Sequence, residues 1–207
     1  MNLFPGIKFP ARESSVVVAQ YVTMAAISLV IGNMATDHAR KLAPVEQSVM
    51  PHLNAAYNLA RWLTRTGPDA EDLVQESYLR AFRSFETFQG GQDARAWLLA
   101  IVRNTCFTWL KKKGGQPTVE FDEQTHAVAD ESPGAETILL NQAALGSLNH
   151  CLEALPPEYR ETIVLRELEE LSYKEISDIA RVPIGTVMSR LARARKRLQQ
   201  CLEGALR

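Results

Sequence analysis

A segment with six acidic residues and no Lys or Arg, residues 114–137, divides the chain into two parts. The segment contains Gly and Pro and has no periodic apolar pattern, which is typical of a flexible tether. On both sides of it apolar residues recur at three- and four-residue spacing, and no strand pattern persists. The sequence therefore predicts an all-α fold of two small helical domains joined by an acidic linker.

These patterns predict four segments. Residues 1–44 form an N-terminal extension, residues 45–113 the first domain, residues 114–137 the linker and residues 138–207 the second domain. The net charge of the whole chain is −1 and its pI is near 6.4. Because a general nucleic-acid binder is basic overall, any surface for DNA in this chain must be local.

The N-terminal extension has three interpretations. An uncharged, mostly apolar run at Val16–Ile31 follows Lys8 and Arg12, which is the outline of a signal peptide or a short membrane span. Met34 could instead be the true start, with residues 1–33 an over-extended gene prediction. The third interpretation is a poorly ordered extension, and the sequence leaves all three open.

Loop signals divide the first domain into three helices. The apolar period begins at Leu53, and the Gly67–Asp69 triplet then breaks the chain. Asp69 is placed to cap the second helix. A glycine pair at 90–91 marks a loop, and the third helix is predicted over residues 94–113.

The second domain carries a pattern that is typical of a helix-turn-helix. Ser172 and Glu175 form a capping box at the start of a short helix, Pro183 ends that helix, and Gly185 is predicted to lie in the turn. One apolar stripe follows at helical spacing on a second helix: Val187, Leu191, Ala194 and Leu198.

The other side of this second helix is basic. Five basic residues and no acidic one lie between Arg190 and Arg197. A helix with one apolar and one basic side suits the major groove of DNA, where cations meet phosphates and Arg or Ser reaches base edges. The alternative is a solvated basic face on an ordinary helical hairpin.

The cysteines and histidines give no sign of a chemical site. Cys106, Cys151 and Cys201 form no CxxC motif, so we expect no zinc site. Their odd number and wide spacing argue against a disulfide framework and favour buried cysteines in a reducing cytoplasm. The histidines are isolated, and the sequence has no P-loop or catalytic triad. We therefore predict no catalytic group, metal or cofactor.

The stretch LPPEYRETIVLRELEELSYKEISDIARVPIGTVMSRLARARKRL resembles region 4 of the extracytoplasmic-function (ECF) sigma factors. In that family this domain reads the minus-thirty-five promoter element as duplex DNA. Met188 stands where many relatives carry Arg. The resemblance implies six DNA-binding residues on and beside the second helix: Thr186, Met188, Ser189, Arg190, Arg193 and Lys196.

The stretch AEDLVQESYLRAFRSFETFQGGQDARAWLLAIVRNTCFTWLKKKG resembles sigma region 2. The resemblance implies that Asp72, Gln75 and Glu76 dock on the largest subunits of core RNA polymerase. We expect Phe85 and Trp97 to lie in the core, with Phe88 exposed. The residues that the resemblance assigns to the melted minus-ten strand are Phe88, Gly90, Gly91, Arg103, Asn104, Lys111 and Lys112.

An ECF sigma factor is a cytoplasmic, non-enzymatic protein whose partners are core RNA polymerase, promoter DNA and an anti-sigma factor, with no small-molecule substrate.

Two other classes would fit parts of the chain. A stand-alone helix-turn-helix regulator would explain the second domain and leave the first without a role. A membrane-tethered regulator would explain only the N-terminal apolar run. An enzyme acting on nucleic acid would need catalytic groups that the sequence does not offer.

Overall fold

The computed structural model describes residues 47–85, 88, 93–113 and 146–205. All regular elements in these ranges are helical, which confirms the predicted all-α class. None of the described helices is long and apolar enough to cross a bilayer. The N-terminal run, the acidic linker and the glycines at 90–91 lie outside the described residues.

Among the described residues of the first domain, residues 47–49 are helical and three longer helices pack on one another. Their bounds are α1, Leu53–Thr64; α2, Gly67–Ser84; and α3, Ala94–Lys112. A 3-10 turn, Met50–His52, leads into α1.

The break between α1 and α2 lies earlier than the sequence suggested. Arg65 ends α1 in a left-handed conformation with φ of 70°, and Thr66 is extended. Helix α2 therefore starts at Gly67, with Pro68 in its first turn, where the missing N–H of proline does no harm. The prediction that Asp69 caps α2 is wrong, because Asp69 lies inside the helix and its carboxylate accepts a hydrogen bond from the Thr66 hydroxyl.

Helix α3 begins as predicted. Asp93 is its N-cap, and the Asp93 carboxylate accepts a hydrogen bond of 2.9 Å from the backbone N–H of Arg95. The cap satisfies one of the backbone donors that every helix start leaves unpaired. Leu98, Leu99 and Val102 are buried on its apolar side.

The described part of the second domain, residues 146–205, consists of four helices and a π-helical turn. Residues 146–153 are helical and are called α4. The other elements are α5, Pro157–Ile163; the π-helix, Val164–Leu168; α6, Tyr173–Ala180; and α7, Ile184–Ala205.

The helix-turn-helix consists of α6 and α7. The predicted capping box is confirmed, since Ser172 and Glu175 exchange side-chain and backbone hydrogen bonds. Arg181 ends α6 in a left-handed conformation. The prediction that Gly185 lies in the turn is wrong, because the carbonyl of Pro183 already accepts from the N–H groups of Thr186 and Val187, which starts α7 before the glycine.

Arg160, the last residue of the LPPEYR sequence at 155–160, is a structural residue. Its side chain is only 1% exposed. Burial lowers its pKa to about 10, so it remains charged at neutral pH. Its guanidinium donates hydrogen bonds of 2.6–3.0 Å to four main-chain carbonyls, those of Trp62, Leu152, Glu153 and Leu155.

A disulfide joins α4 to the C-terminal part of α7. Cys151 and Cys201 are bonded across a sequence separation of 50. The expectation of no disulfide is therefore wrong, and residue spacing could not have revealed the bond because folding brings the two helices together. Cys106 is buried as predicted, and burial raises the pKa of its thiol to about 12, which keeps it unreactive.

Reduction of the Cys151–Cys201 bond is expected to lower the free energy of unfolding of the chain by about 2–4 kcal/mol, because the open chain gains conformational entropy. Urea denaturation with and without dithiothreitol measures this difference. A Cys151→Ala/Cys201→Ala variant is the control and should not respond to the reductant. Equal stability of the oxidised and reduced wild type would contradict the prediction.

Candidate polymerase and DNA interfaces

The predicted docking residues share one exposed face of α2. Asp72, Gln75 and Glu76 are all exposed, and the exposed Leu79 lies one turn further along. Glu76 forms an ion pair of 2.5 Å with Arg80 on the next turn. The face thus combines carboxylates with an apolar side chain, which is a suitable composition for binding another protein.

Three aromatic rings cluster where α2 ends and α3 begins. The Phe88 ring centroid lies 5.4 Å from that of Phe85 and 5.0 Å from that of Trp97. All three side chains are half-buried. Phe88, the ring expected to be the most exposed of the three, is only partly exposed, because it packs against the two others. It would have to leave this cluster to stack on a base.

Basic residues gather at the C-terminal end of α3. Lys111 and Lys112 are exposed there. Lys113 holds its ammonium 4.3 Å from the centre of the Trp109 ring and 3.3 Å from the Asp69 carboxylate. The end of α3 is therefore a positively charged surface next to the start of α2.

Arg103 and Asn104 lie on the middle of α3 and are less accessible. The Asn104 side chain is half-buried, and its Oδ1 is 3.4 Å from Nη1 of Arg103. Nε of Arg103 donates a hydrogen bond of 2.5 Å to Oε1 of Glu161 in the second domain. Arg103 thus faces protein in this conformation.

Helix α7 presents the predicted basic face. The four residues of its apolar stripe are all buried. On the other side Ser189, Arg193 and Lys196 are exposed, and Met188 is 53% exposed. Thr186 is half-buried, and its carbonyl accepts from the Ser189 hydroxyl at 3.0 Å. The end of α7 that follows the turn is therefore accessible to a DNA groove.

Three of the five arginines and lysines on α7 contact other parts of the protein, and Arg197 does so with its guanidinium 5.2 Å from the centre of the Tyr159 ring. Nη1 of Arg190 lies 3.9 Å from Oε2 of Glu161, and the Arg190 side chain is only 19% exposed. Nη2 of Arg195 donates a hydrogen bond of 2.6 Å to Glu167. Arg190 was predicted to contact DNA, and it is covered in this conformation.

The sequence analysis missed two acidic residues that join the domains, Glu161 and Glu169. Both are buried, and both pair with arginines of α3. Neither residue stands in a recognisable motif, so only the three-dimensional contact identifies them. In the described ranges no group of His, Cys, Asp and Glu side chains could hold a metal ion.

Comparison with known proteins assigns both domains. Residues 49–116 match the family model "Sigma-70 region 2", and residues 145–198 match "Sigma-70, region 4". The ECF RNA polymerase sigma-E factor of Escherichia coli K12 is 34% identical over 146 residues, which cover 67% of this chain and 76% of that protein. This chain belongs to the ECF sigma factors. Members of this family bind RNA polymerase and select promoters.

Other relatives and solved structures agree with this family. The ECF sigma factor SigE of Mycolicibacterium smegmatis is 34% identical over 168 residues, which cover 81% of this chain and 65% of SigE. The sigma factor RpoE from Bartonella quintana, solved with the anti-sigma factor NepR, aligns with a TM-score of 0.59 at 30% identity over 76% of this chain and 96% of that chain. CnrH, solved with the cytosolic domain of CnrY, has a TM-score of 0.58 at 21% identity over 91% and 97% of the two chains, and shows the shared fold.

Proposed function

We propose that this chain acts in the cytoplasm as a non-enzymatic initiation factor, and that it docks on core RNA polymerase through Asp72, Gln75 and Glu76. The main support is that one chain carries both an acidic, partly apolar face on α2 and a basic face on α7. The first suits a protein partner, and the second suits DNA. Residues 114–137 serve as the linker that lets the two domains reach separate sites.

The basic face of α7 reads the minus-thirty-five element in this proposal. Arg193 and Lys196 are exposed and suit contacts to phosphates, which position the helix. Ser189 and Met188 lie further towards the turn, where a recognition helix meets base edges. Arg190 joins them once it is released from Glu161, and Thr186 lies at the start of the same surface.

Met188 is expected to favour a thymine over a guanine at the base pair that it faces. Its exposed thioether is apolar and suits contact with the thymine methyl, whereas an arginine there would pair with guanine. We expect Met188→Arg to shift the preferred base, with a discrimination of about 1–3 kcal/mol.

Selection of start sites from a randomised minus-thirty-five library measures this preference at Met188. Met188→Leu is the matched control, since it keeps an apolar side chain and should keep the wild-type preference. An unchanged base preference in Met188→Arg would exclude a direct contact at this position.

The minus-ten element is read as melted single strand by the first domain. Lys111 and Lys112 give a positive surface for the backbone, and Phe88 can leave the aromatic cluster to stack on a base. Asn104 and Arg103 extend this surface along α3. The glycines at 90–91 belong to the same proposed loop and lie outside the described residues.

An anti-sigma protein is the expected inhibitory partner. The Bartonella quintana RpoE structure, 30% identical to this chain, is a complex with an anti-sigma factor. We extend that class of partner to this chain.

In vitro transcription with the full chain, core RNA polymerase and pooled genomic templates tests the proposed function. New start sites that need both proteins would support it. A folded chain that binds duplex DNA but neither binds core polymerase nor yields transcripts would instead favour a stand-alone helix-turn-helix regulator.

A further inference from the structure

One basic residue of α7, Arg195, lies in line with the residue that is proposed to face the bases. Arg195 follows Met188 by seven residues, which is about two helical turns and about 10 Å along the helix axis. The two side chains therefore leave α7 on the same side. An unpaired cation at this position would add a contact to a DNA phosphate when α7 lies in a groove.

The charge of Arg195 is already paired within the second domain. Nη2 of Arg195 donates a hydrogen bond of 2.6 Å to Oε1 of Glu167, and the two side chains are only 27% and 17% exposed. Salt screens an ion pair that is sheltered from water less than it screens a fully exposed pair. Glu167 therefore cancels much of the attraction that Arg195 would offer to a phosphate.

The backbone that carries Glu167 is fixed in the core. Glu167 lies in the π-helix, where the backbone N–H of Glu169 donates a hydrogen bond of 3.1 Å to the carbonyl of Val164. Val164 and Leu165 are fully buried and anchor this turn. The carboxylate of Glu167 thus meets α7 from a rigid part of the domain.

Two other cations of α7 differ from Arg195. Arg193 and Lys196 are exposed, and within the described residues the ion pairs of α7 involve only Arg190 and Arg195. The structure therefore divides the cations of this helix into a group that is open to phosphates and a group that the protein itself neutralises.

The number of cations open to phosphates determines how tightly α7 binds DNA of any sequence. Each phosphate contact releases condensed counterions and adds affinity without sequence information. Because a chromosome offers a large excess of non-promoter sites, a further contact would hold the free factor on DNA and away from polymerase. A carboxylate that masks one arginine lowers this affinity and leaves the residues at the base edges unchanged.

We propose that Glu167 is a charge-masking residue, which keeps Arg195 from DNA phosphates and so limits the binding of the free factor to non-promoter DNA. The inference rests on the proposed function, because it takes α7 as the DNA-reading helix. Glu167 has a positioning role in this proposal, since it acts on DNA only through Arg195.

Anisotropy of a dye-labelled random duplex, titrated with the full chain at several salt concentrations, tests this role. Glu167→Gln keeps a hydrogen-bond acceptor for Arg195 but removes the negative charge. We expect its log–log salt dependence to steepen by about 0.9, as for one added phosphate contact, and its affinity to rise about fivefold to tenfold at about 0.1 M salt. Unchanged slope and affinity in a folded Glu167→Gln chain would overturn the proposal.

Glu203→Gln is the matched control for Glu167→Gln. It removes the same charge from an exposed position near the end of α7, where the carboxylate accepts a hydrogen bond from Gln199 and pairs with no cation among the described residues. Its salt dependence should equal that of the wild type. The same gain in both variants would reduce the effect to net charge and would refute the masking role.

A charge-balanced double variant tests the proposal even if Glu167→Gln fails to fold. Glu167→Gln/Arg195→Gln removes both members of the pair and keeps the net charge, so we expect wild-type slope and affinity. Arg193→Gln/Glu203→Gln also keeps the net charge, yet its salt dependence should become shallower by about 0.9, because Arg193 is open to phosphates. An equal loss in both double variants would show that Arg195 contacts DNA despite Glu167, which overturns the proposal.

Failure of the proposed function would look different from failure of the masking role. If the wild type and every variant bind the random duplex without any dependence on salt, α7 is not a DNA surface, and the proposed function fails together with this inference. If the wild type directs core-dependent transcription while Glu167→Gln binds the duplex as the wild type does, only the masking role of Glu167 is overturned.

Discussion

Replacement of Arg160 by methionine is expected to lower the free energy of unfolding by about 3–5 kcal/mol. Methionine fills much of the space but donates no hydrogen bond, so four carbonyls that Arg160 now satisfies would be left without their donor. Arg160→Lys keeps the charge, yet its compact ammonium cannot reach all four carbonyls, so we expect it to recover only part of the loss.

Urea denaturation followed by circular dichroism, with the disulfide intact, measures the effect of Arg160→Met. Arg193→Met is the control, because Arg193 is exposed on α7 and its loss should change stability by less than about 0.5 kcal/mol. A loss below about 1 kcal/mol in Arg160→Met would mean that water replaces the guanidinium at these carbonyls.

Charge reversal on the α2 face is expected to have the largest effect on function. Asp72→Lys combined with Glu76→Lys should weaken binding to core RNA polymerase about 100-fold or more, because like charges would then meet at the docking surface. Both side chains are exposed, so the fold should tolerate the change. The substitution also removes the ion pair between Glu76 and Arg80, which contributes little to the stability of the fold because it is exposed.

Anisotropy of a dye-labelled chain titrated with core polymerase measures this affinity. Glu203→Lys reverses an exposed charge near the end of α7, away from the α2 face, and should bind as the wild type does. If the Asp72→Lys/Glu76→Lys chain binds core polymerase with unchanged affinity, the docking surface lies elsewhere on the molecule.

The sequence predicted helical features well where the residues that determine them lie close together in the chain. The capping box of Ser172 and Glu175 and the apolar stripe of α7 depend on residues within one or two turns, and both are confirmed. The start of α2 was misplaced because Arg65 takes a left-handed conformation that glycine or asparagine would normally signal. A non-glycine residue in this conformation gives no warning in the sequence.

Long-range contacts were the part that the sequence could not predict. Glu161 follows Arg160 in the chain, and both read as polar positions of a helix, yet both are buried because partners from the first domain reach them. The Cys151–Cys201 bond likewise depends on how α4 meets α7. The family resemblance implied the candidate DNA contacts. It gave no sign that Arg103 and Arg190 both face the carboxylate of Glu161.

The disulfide also determines how tension would pass through the second domain. If core polymerase holds the two domains at separate sites, as proposed above, a pull on the second domain reaches α4 first among its described helices. The Cys151–Cys201 bond passes that pull to a point on α7 thirteen residues beyond Met188, about 20 Å along the helix. The oxidised chain would therefore take up the strain at the end of α7 distant from the bases, and the register of the recognition residues in the groove would be unaffected.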